Sequence, residues 1–367
     1  MESLMDDWSA LNPDLLVEIA KRIPDIDDFM AFRVFALRGE SQPPWINLVL
    51  HGQEFQAKGK RRIEVRFGWL LTLTDSGDVT LLNPLSGRQF KLPNFRFFHR
   101  FRSNDPNPSC LFITKAVLLE NPSEVSDFTL VAICGRKFLG FWRPGNKNWT
   151  RIKTEEKVFL DMTYHKGKLY AINGAGNIWS WDGNSPAGVK FADIVLSINY
   201  SLLPSYRQIY LVESSPSSSM EGKLLMILRL ENRYDQKDRY NHDEPDRIFK
   251  KYFYTRHFRV YRLDTVKGDW TEISSLRGDT LFVGGNASIC VSATEAKRSG
   301  IKPNSIYFTD DYLESFPTMG GGGRDMGIYD VENASVERFG GLDVGLDVED
   351  KSVISFICPP FWVSPNN

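Results

Sequence analysis

The sequence is poor in cysteine and carries almost no net charge. It has four cysteines in 367 residues, and their positions are far apart: Cys110, Cys134, Cys290 and Cys358. Such cysteines are best explained as free thiols in a reducing compartment rather than as a disulfide framework. The formal net charge of -1 at pH 7 does not favour a dedicated binder of nucleic acid or another polyanion.

Long hydrophobic segments are also lacking. No stretch reaches the ~18 uninterrupted apolar residues that a membrane-spanning helix needs. The first residues, Met1–Trp8, are acidic and lack the apolar centre of a secretory signal. Hydrophobic residues nevertheless make up 42% of the chain, enough to bury a sizeable core. We therefore expect a soluble protein without a membrane partner, located in the cytoplasm, the nucleus or both.

Patterns typical of catalysis, cofactor binding or metal binding are missing as well. None of the five histidines has a second ligand at metal-binding spacing, and no nucleophile elbow or Walker motif occurs. Gly320–Gly323 lacks the Lys-Ser/Thr of a phosphate loop, and Asp310 and Asp311 follow a predicted strand as an exposed end. We predict a non-catalytic binding protein with no cofactor and no metal. An enzyme remains an alternative, because catalytic triads need not be local in sequence.

One segment, Arg96–Arg102, alternates basic and aromatic side chains. This alternation is typical of sites where rings stack on the bases of single-stranded nucleic acid. The same residues also suit a loop or edge strand whose rings pack on the protein, and the near-neutral chain favours that interpretation. An acidic peptide is as good a candidate ligand as RNA.

Residues 8–39 are the only clearly helical stretch. Asn12 caps a first helix with Pro13 in its first turn. Leu15, Leu16 and Ile19 then lie on one face at helical spacing. A second helix is predicted between Asp27 or Asp28 and Gly39. Helices this short are unstable alone in water, so the pair must dock on the rest of the chain or on a partner.

From Trp45 onward, short apolar runs rich in β-branched and aromatic residues alternate with turns, which indicates a mainly β domain. Two hairpins are predicted, since Gly and Asn supply the positive φ that tight turns need: Trp69–Thr74 with Val79–Leu82, and Lys168–Ile172 with Ile178–Trp181. Two insertions, Ser214–Met220 and Glu231–Lys251, are predicted to be exposed loops.

A loose repeat underlies the β domain. Each copy consists of an apolar strand, a polar turn and a short strand with an aromatic residue, and copies begin at Leu81, Phe138, Phe258 and Met326. Repeats of roughly 40–50 residues with four strands each are typical of a β-propeller, here of about six blades. A pair of β-sandwiches is the structural alternative.

Several segments carry a family resemblance. Trp8–Ala20 resembles the opening of an F-box, and Asp28, Phe32, Arg33 and Val34 resemble its second half. The later segments resemble, in order, the β domain of plant F-box proteins with "domain of unknown function 295", a kelch-like propeller: Pro44-Trp45, Phe141–Gly145, Asp161–Ala171, Asn304–Asp311, Asp325–Tyr329 and Pro359–Val363.

The resemblance implies that residues 8–39 bind the Skp-type adaptor of a cullin–RING ubiquitin ligase and that residues 45–367 select a protein substrate. The adaptor-binding residues would be Leu11, Pro13, Leu15, Leu16, Ile19 and Phe32. Val34–Arg38 lacks the Cys and Trp that the family usually has there, so we expect weaker adaptor binding than for an intact F-box. The alternative is an adaptor-independent binding or scaffold protein whose F-box has decayed.

Overall fold

A computed structural model describes six long segments of the chain and two residue pairs near its start. The segments are 60–94, 113–155, 159–192, 206–234, 252–309 and 325–338, with gaps at 75–76, 84–85, 135–137, 174–176, 186–188, 216–217, 219, 221, 265–266, 286–287 and 299; the pairs are 33–34 and 46–47. These residues are mainly β, as predicted. No helix among them is both long enough and apolar enough to cross a membrane.

The two described pairs near the start form a short antiparallel ladder. Strand β1 (Arg33–Val34) pairs with β2 (Ile46–Asn47), and Val34 lies opposite Ile46. The prediction of a second helix is therefore wrong at Arg33 and Val34. β-branched side chains fit a strand pair well, which is a physical reason for the extended backbone here. The predicted adaptor-binding residues lie outside the described residues: Leu11, Pro13, Leu15, Leu16, Ile19 and Phe32.

The first three sheets are antiparallel four-stranded meanders in chain order. Sheet 1 contains β3 (Lys60–Val65), β4 (Trp69–Thr74), β5 (Val79–Leu82) and β6 (Gln89–Leu92). Sheet 2 contains β7 (Ile113–Leu118), β8 (Leu130–Cys134), β9 (Phe138–Trp142) and β10 (Thr150–Arg151). Sheet 3 contains β11 (Phe159–His165), β12 (Lys168–Asn173), β13 (Ile178–Trp181) and β14 (Val189–Ala192).

Sheet 4 is another four-stranded meander, and sheet 5 has an inserted hairpin and helix. Sheet 4 contains β15 (Tyr206–Glu213), β16 (Leu224–Tyr234), β17 (Tyr252–Asp264) and β18 (Asp269–Ile273). Sheet 5 contains β19 (Thr280–Val283), β20 (Ser288–Val291), α1 (Ala293–Arg298), β21 (Ser305–Phe308), β22 (Gly327–Asp330) and β23 (Ser335–Arg338). Its strand order is β20-β19-β21-β22-β23, and β19 pairs with β21 in parallel.

Both predicted hairpins are confirmed. They are β4–β5 in sheet 1 and β12–β13 in sheet 3. The four copies of the repeat are the last two strands of four sheets: β5–β6, β9–β10, β17–β18 and β22–β23. The repeat was visible in the sequence because each sheet ends in the same kind of hairpin.

The core is divided into layers between successive sheets. Sheets 1 and 2 enclose one apolar cluster, sheets 2 and 3 a second, sheets 3 and 4 a third, and sheets 4 and 5 a fourth. The other face of sheet 5 packs against Ala296 of α1 and against Ile301. Sheets 2, 3 and 4 are thus buried on both faces, whereas each sheet of a β-sandwich contributes one inner face.

The inner strands touch one another in series. Strand β3 contacts β7, β7 contacts β11, β11 contacts β15, and β15 contacts β20. Successive sheets that pack face to face and meet along one edge strand are arranged like the blades of a propeller. Five such sheets occur among the described residues, and the number of blades in the whole chain, predicted as about six, stays a prediction.

The two insertions differ from their prediction as exposed loops. Ser214, Ser218 and Met220 are buried. Met220 packs in the apolar cluster between sheets 4 and 5, and the Ser218 hydroxyl is hydrogen-bonded to the buried carboxylate of Asp279 beside sheet 5. In the second insertion, the first four residues, 231–234, continue strand β16 and pair with β17. The prediction is therefore wrong at these positions, and residues 235–251 lie outside the described residues.

Two of the four cysteines lie in the described part of the chain, and both are free thiols, as predicted. Cys134 is buried, and burial raises the pKa of its thiol above the ordinary range. Burial also raises the pKa of Cys290 to about 12. Neither thiol is ionised at neutral pH, so neither is a reactive nucleophile. Cys110 and Cys358 lie outside the described residues.

Candidate functional site

Four successive sheets bring polar side chains together where their first strand turns into the second. The residues are Arg66 after β3, Glu120 after β7, Tyr164 and His165 at the end of β11, and Glu213 at the end of β15. Because these first strands lie side by side, their carboxyl ends lie on one side of the stacked sheets. We call Arg66, Glu120, Tyr164, His165 and Glu213 the first-turn cluster.

Two tight turns position Arg66 and the neighbouring residues Tyr164 and His165. Val65 pairs with Trp69, so Arg66-Phe67-Gly68 is a three-residue hairpin loop. Phe67 has a φ of 64°, which is rare for a bulky residue and marks a position held by its surroundings. The β11–β12 turn is shorter: Lys166 and Gly167 both have positive φ, as a two-residue hairpin turn requires.

Arg66 packs against two aromatic rings. Its guanidinium carbon is 4.7 Å from the centroid of the Phe67 ring and 5.0 Å from that of Tyr164. Its Nη1 is shielded from solvent and has no hydrogen-bond partner within the described part of the chain. Burial lowers the pKa of Arg66 from the ordinary value of 12.5, and Glu213, Tyr164 and Glu120 act in the opposite direction. Arg66 stays charged at neutral pH, but its positive charge has no ion-pair partner among the described residues.

Both glutamates of the cluster already accept hydrogen bonds. Glu213 Oε1 lies 3.0 Å from Nδ1 of His165, whose side chain is 1% exposed. Glu120 Oε2 accepts a 2.7 Å hydrogen bond from the backbone N–H of Thr129. Burial and, next in size, the charge of Glu120 raise the pKa of Tyr164 above its ordinary value of 10.0, so the phenol keeps its proton.

A buried ion pair links two of the strands that carry the cluster. Lys115 of β7 and Asp161 of β11 are in contact, and their side chains are 8% and 2% exposed. Asp161 also accepts 2.7 Å hydrogen bonds from the backbone N–H groups of Met162 and Leu211, the latter in β15. Burial raises the pKa of Asp161, and Lys115 offsets part of that effect. One carboxylate therefore links β7, β11 and β15, the strands whose ends carry Glu120, Tyr164, His165 and Glu213.

A second buried network joins sheets 4 and 5. Arg229 of β16 is fully buried, and its guanidinium donates to Tyr210 Oη at 3.0 Å, to Thr309 O at 2.8 Å and to Thr255 Oγ1 at 2.7 Å. The carboxylate of Asp325 receives Nη2 of the same guanidinium at 3.0 Å. These bonds cross from one sheet to the next, so the network holds neighbouring blades in register.

The cluster is suited to binding by hydrogen bonds and charge. Three of its turns follow strands that the Lys115–Asp161 pair and the hydrogen bond from Leu211 to Asp161 link, and Arg66 Nη1 has no acceptor in the segments that the structure describes. Among the residues that the structure describes, no group of three or more His, Cys, Asp or Glu side chains is placed to hold a metal ion. The geometry therefore favours recognition of a polar group on a partner.

Among the described residues, the sequence-predicted segments and the first-turn cluster overlap in one place. The signature Asp161–Ala171 contains both Tyr164 and His165, and its aspartate forms the supporting ion pair. Arg96–Arg102, Asp310, Asp311 and Gly320–Gly323 lie outside the described residues. Arg66, Glu120 and Glu213 were missed, because a charged residue at a turn looks in sequence like any solvated turn residue.

Comparison with known proteins places these features in a family. The model of the KIB1-4 beta-propeller matches residues 45–330. F-box protein At2g26160 of Arabidopsis thaliana is 24% identical over 355 residues, covering 85% of this chain and 98% of that protein. Putative F-box protein At5g55150 is 24% identical, covering 82% and 72%, and F-box protein At4g35733 is 29% identical, covering 66% of each; both are from the same plant. With most of its length matched and its sheets stacked as blades, the chain belongs to the KIB1-4 β-propeller family.

Proposed function

We propose that this protein is the substrate-recognition subunit of a Skp–cullin–F-box ubiquitin ligase. The observation that carries the proposal is the similarity to relatives named F-box proteins, which in one case extends over 98% of the relative. In this proposal residues 8–39 bind a Skp-type adaptor and through it the cullin. Residues 45–367 form the propeller that binds a protein target, and the protein itself performs no chemistry.

The described residues support the target-binding half of this proposal. Blades locked by the Lys115–Asp161 and Arg229–Asp325 pairs form a rigid scaffold. The first-turn cluster lies on one face of that scaffold, where neighbouring turns contribute to a single surface. Binding residues are commonly found on loops that a rigid scaffold positions. Protein recognition by this face needs no catalytic group.

The finer assignments are part of the same proposal. We propose a kelch-like propeller of about six blades with the character of domain of unknown function 295. We further propose that it acts in the cytoplasm, the nucleus or both. The adaptor contacts are assigned to the first predicted helix and to Phe32 of the second: Leu11, Pro13, Leu15, Leu16, Ile19 and Phe32.

A second candidate is an adaptor-independent binding or scaffold protein with a decayed F-box. Two observations favour it. Val34–Arg38 lacks the Cys and Trp of the family pattern. In addition, Arg33 and Val34 pair as a strand with Ile46 and Asn47, in place of the helix that an F-box has there.

Affinity purification of the full-length protein from plant cells separates the two candidates. For a ligase subunit, the adaptor and the cullin co-purify with the wild type, and both are lost from the Leu15→Ala/Leu16→Ala variant. For a scaffold protein, neither subunit co-purifies with the wild type. A Val125→Ala variant is the matched control, because Val125 is an exposed apolar residue of the β domain and its truncation should leave the recovery unchanged.

A further inference from the structure

The Arg66 side chain forms no hydrogen bond or ion pair with any other residue that the structure describes. Its Nη1 is inaccessible to solvent and has no partner among the described residues, whereas the residue as a whole is partly exposed, so an incoming group would have to reach the other guanidinium nitrogens. A shielded donor without an acceptor is costly, because the water that it lost on folding has not been replaced. Such groups are rare in folded proteins and call for a specific explanation.

The surroundings fix the direction of this guanidinium. The rings of Phe67 and Tyr164 lie 4.7 and 5.0 Å from its central carbon and come from two different sheets. Arginine stacked on aromatic faces keeps its planar fork of N–H donors while its rotation is restricted. The side chain is therefore held in one orientation before any partner arrives, which lowers the entropy cost of binding.

The nearby carboxylates do not pair with Arg66. Within the described ranges no acidic side chain lies at ion-pair distance from its guanidinium. Glu213 is instead hydrogen-bonded to His165, and Glu120 accepts from the Thr129 N–H. Both glutamates still affect Arg66 through space, as their effect on its pKa shows. Their negative charges therefore act on an incoming group, while neither glutamate accepts a hydrogen bond from Arg66.

We propose that the first-turn cluster binds a carboxylate side chain of a protein target, with Arg66 as the donor. This inference rests on the proposed role of the β domain in target binding and names the chemistry that it recognises. A carboxylate matches the guanidinium fork and carries a single negative charge. A phosphate group would bring up to two negative charges toward Glu120 and Glu213, and the positive charge of Arg66 would repel a lysine.

The test uses the full-length protein and three blocked tripeptides that differ only in a central aspartate, asparagine or lysine. Binding is followed by NMR of the arginine side-chain Nε–H signals, without any adaptor present. The aspartate peptide should shift the Arg66 signal, and the other two should not. Arg66→Gln should weaken binding of the aspartate peptide at least about tenfold, because a charge-assisted hydrogen bond is lost.

A second variant keeps the test decisive if Arg66→Gln lowers the melting temperature so far that its binding cannot be interpreted. Glu120→Gln retains an oxygen acceptor for the Thr129 N–H but removes one negative charge, so it should bind the aspartate peptide more tightly than the wild type. The proposal is overturned if no peptide binds, if the lysine peptide binds as well as the aspartate peptide, or if Glu120→Gln weakens binding of the aspartate peptide. Loss of adaptor binding would leave these results unchanged, so the two proposals fail separately.

Discussion

Arg229 Nη2 lies 3.0 Å from Oδ2 of Asp325, and the two side chains are 0% and 4% exposed. Thr255 donates to the same carboxylate through its backbone N–H at 2.9 Å and its hydroxyl at 2.8 Å. The pair and its Thr255 contacts join β16 and β17 of sheet 4 to Asp325, which lies two positions before β22 of sheet 5. A charge pair so completely removed from water persists only when its donors and acceptors are satisfied.

Truncation of this arginine should be strongly destabilising. Arg229→Met removes every hydrogen bond of the guanidinium and leaves the carboxylate of Asp325 buried without a counter-ion. Breaking a buried pair in this way costs about 3–5 kcal/mol, and denaturant unfolding measures the loss. Arg259→Met is the matched control, because Arg259 pairs with Glu272 at side-chain exposures of 31% and 45%. That exposed pair is worth about 0–1 kcal/mol, and equal losses in the two variants would contradict this account.

The hydrogen bond between His257 and Tyr329 predicts a dependence of stability on pH. The Tyr329 hydroxyl lies 2.6 Å from His257 Nδ1, and burial raises the pKa of Tyr329 to about 12, so the phenol keeps its proton and can donate it to a neutral imidazole. Burial, followed by the charges of Arg259 and Arg256, lowers the pKa of His257 below its ordinary value of 6.5, while Glu272 partly opposes the shift.

The pKa of His257 is lower in the folded state than in the unfolded state, so its contribution to stability is complete at pH values above the unfolded-state pKa. The contribution is lost as the pH falls from the unfolded-state pKa towards the folded-state pKa. We expect the free energy of unfolding to decrease from pH 7.5 to pH 5, and to decrease less in His257→Gln, whose amide oxygen still accepts from Tyr329. Urea titrations at the two pH values measure the difference. An identical decrease in both proteins would show that His257 has no part in it.

Gly327 is predicted to tolerate no side chain. A Cβ atom at this position would lie 2.3 Å from the backbone oxygen of Glu337 and 3.2 Å from the Cα of Arg338, both in β23. Gly327→Ala must push β23 away from β22, and overpacking of this kind costs ~1–3 kcal/mol. Ser335→Ala on the exposed part of β23 is the control, expected within ~0.5 kcal/mol of the wild type. Equal melting temperatures for the two variants would argue against the close approach of the strands.

The strands were predictable because their pattern is local. Trp69–Thr74 and Lys168–Ile172 are β-rich runs beside Gly and Asn turns, and both hairpins formed as predicted. Sheet 5 was not predictable in the same way, since its parallel pairing of β19 with β21 depends on a crossover through α1. The capping box between Ser292 and Glu295 is the sequence signal that marks this helix.

The candidate site was much less predictable than the sheets. Lys115 and Arg229 lie within strands where a charged residue normally faces water, yet each is buried by a partner from another sheet. Their partners, Asp161 and Asp325, are 46 and 96 positions away along the chain, and nothing in the spacing connects them. The same holds for the first-turn cluster, whose members meet only after four sheets have packed.

The most direct test of the central proposal is a titration of purified Skp-type adaptor against the full-length protein. Burial of each apolar side chain of the first helix is worth ~1.5–3 kcal/mol, so the wild type should bind and the Leu15→Ala/Leu16→Ala variant should bind at least about tenfold more weakly. The Val125→Ala variant should bind like the wild type, and all three should melt at similar temperatures. If the wild type does not bind at high micromolar adaptor, or the double variant binds equally well, the protein is not an adaptor-docked receptor.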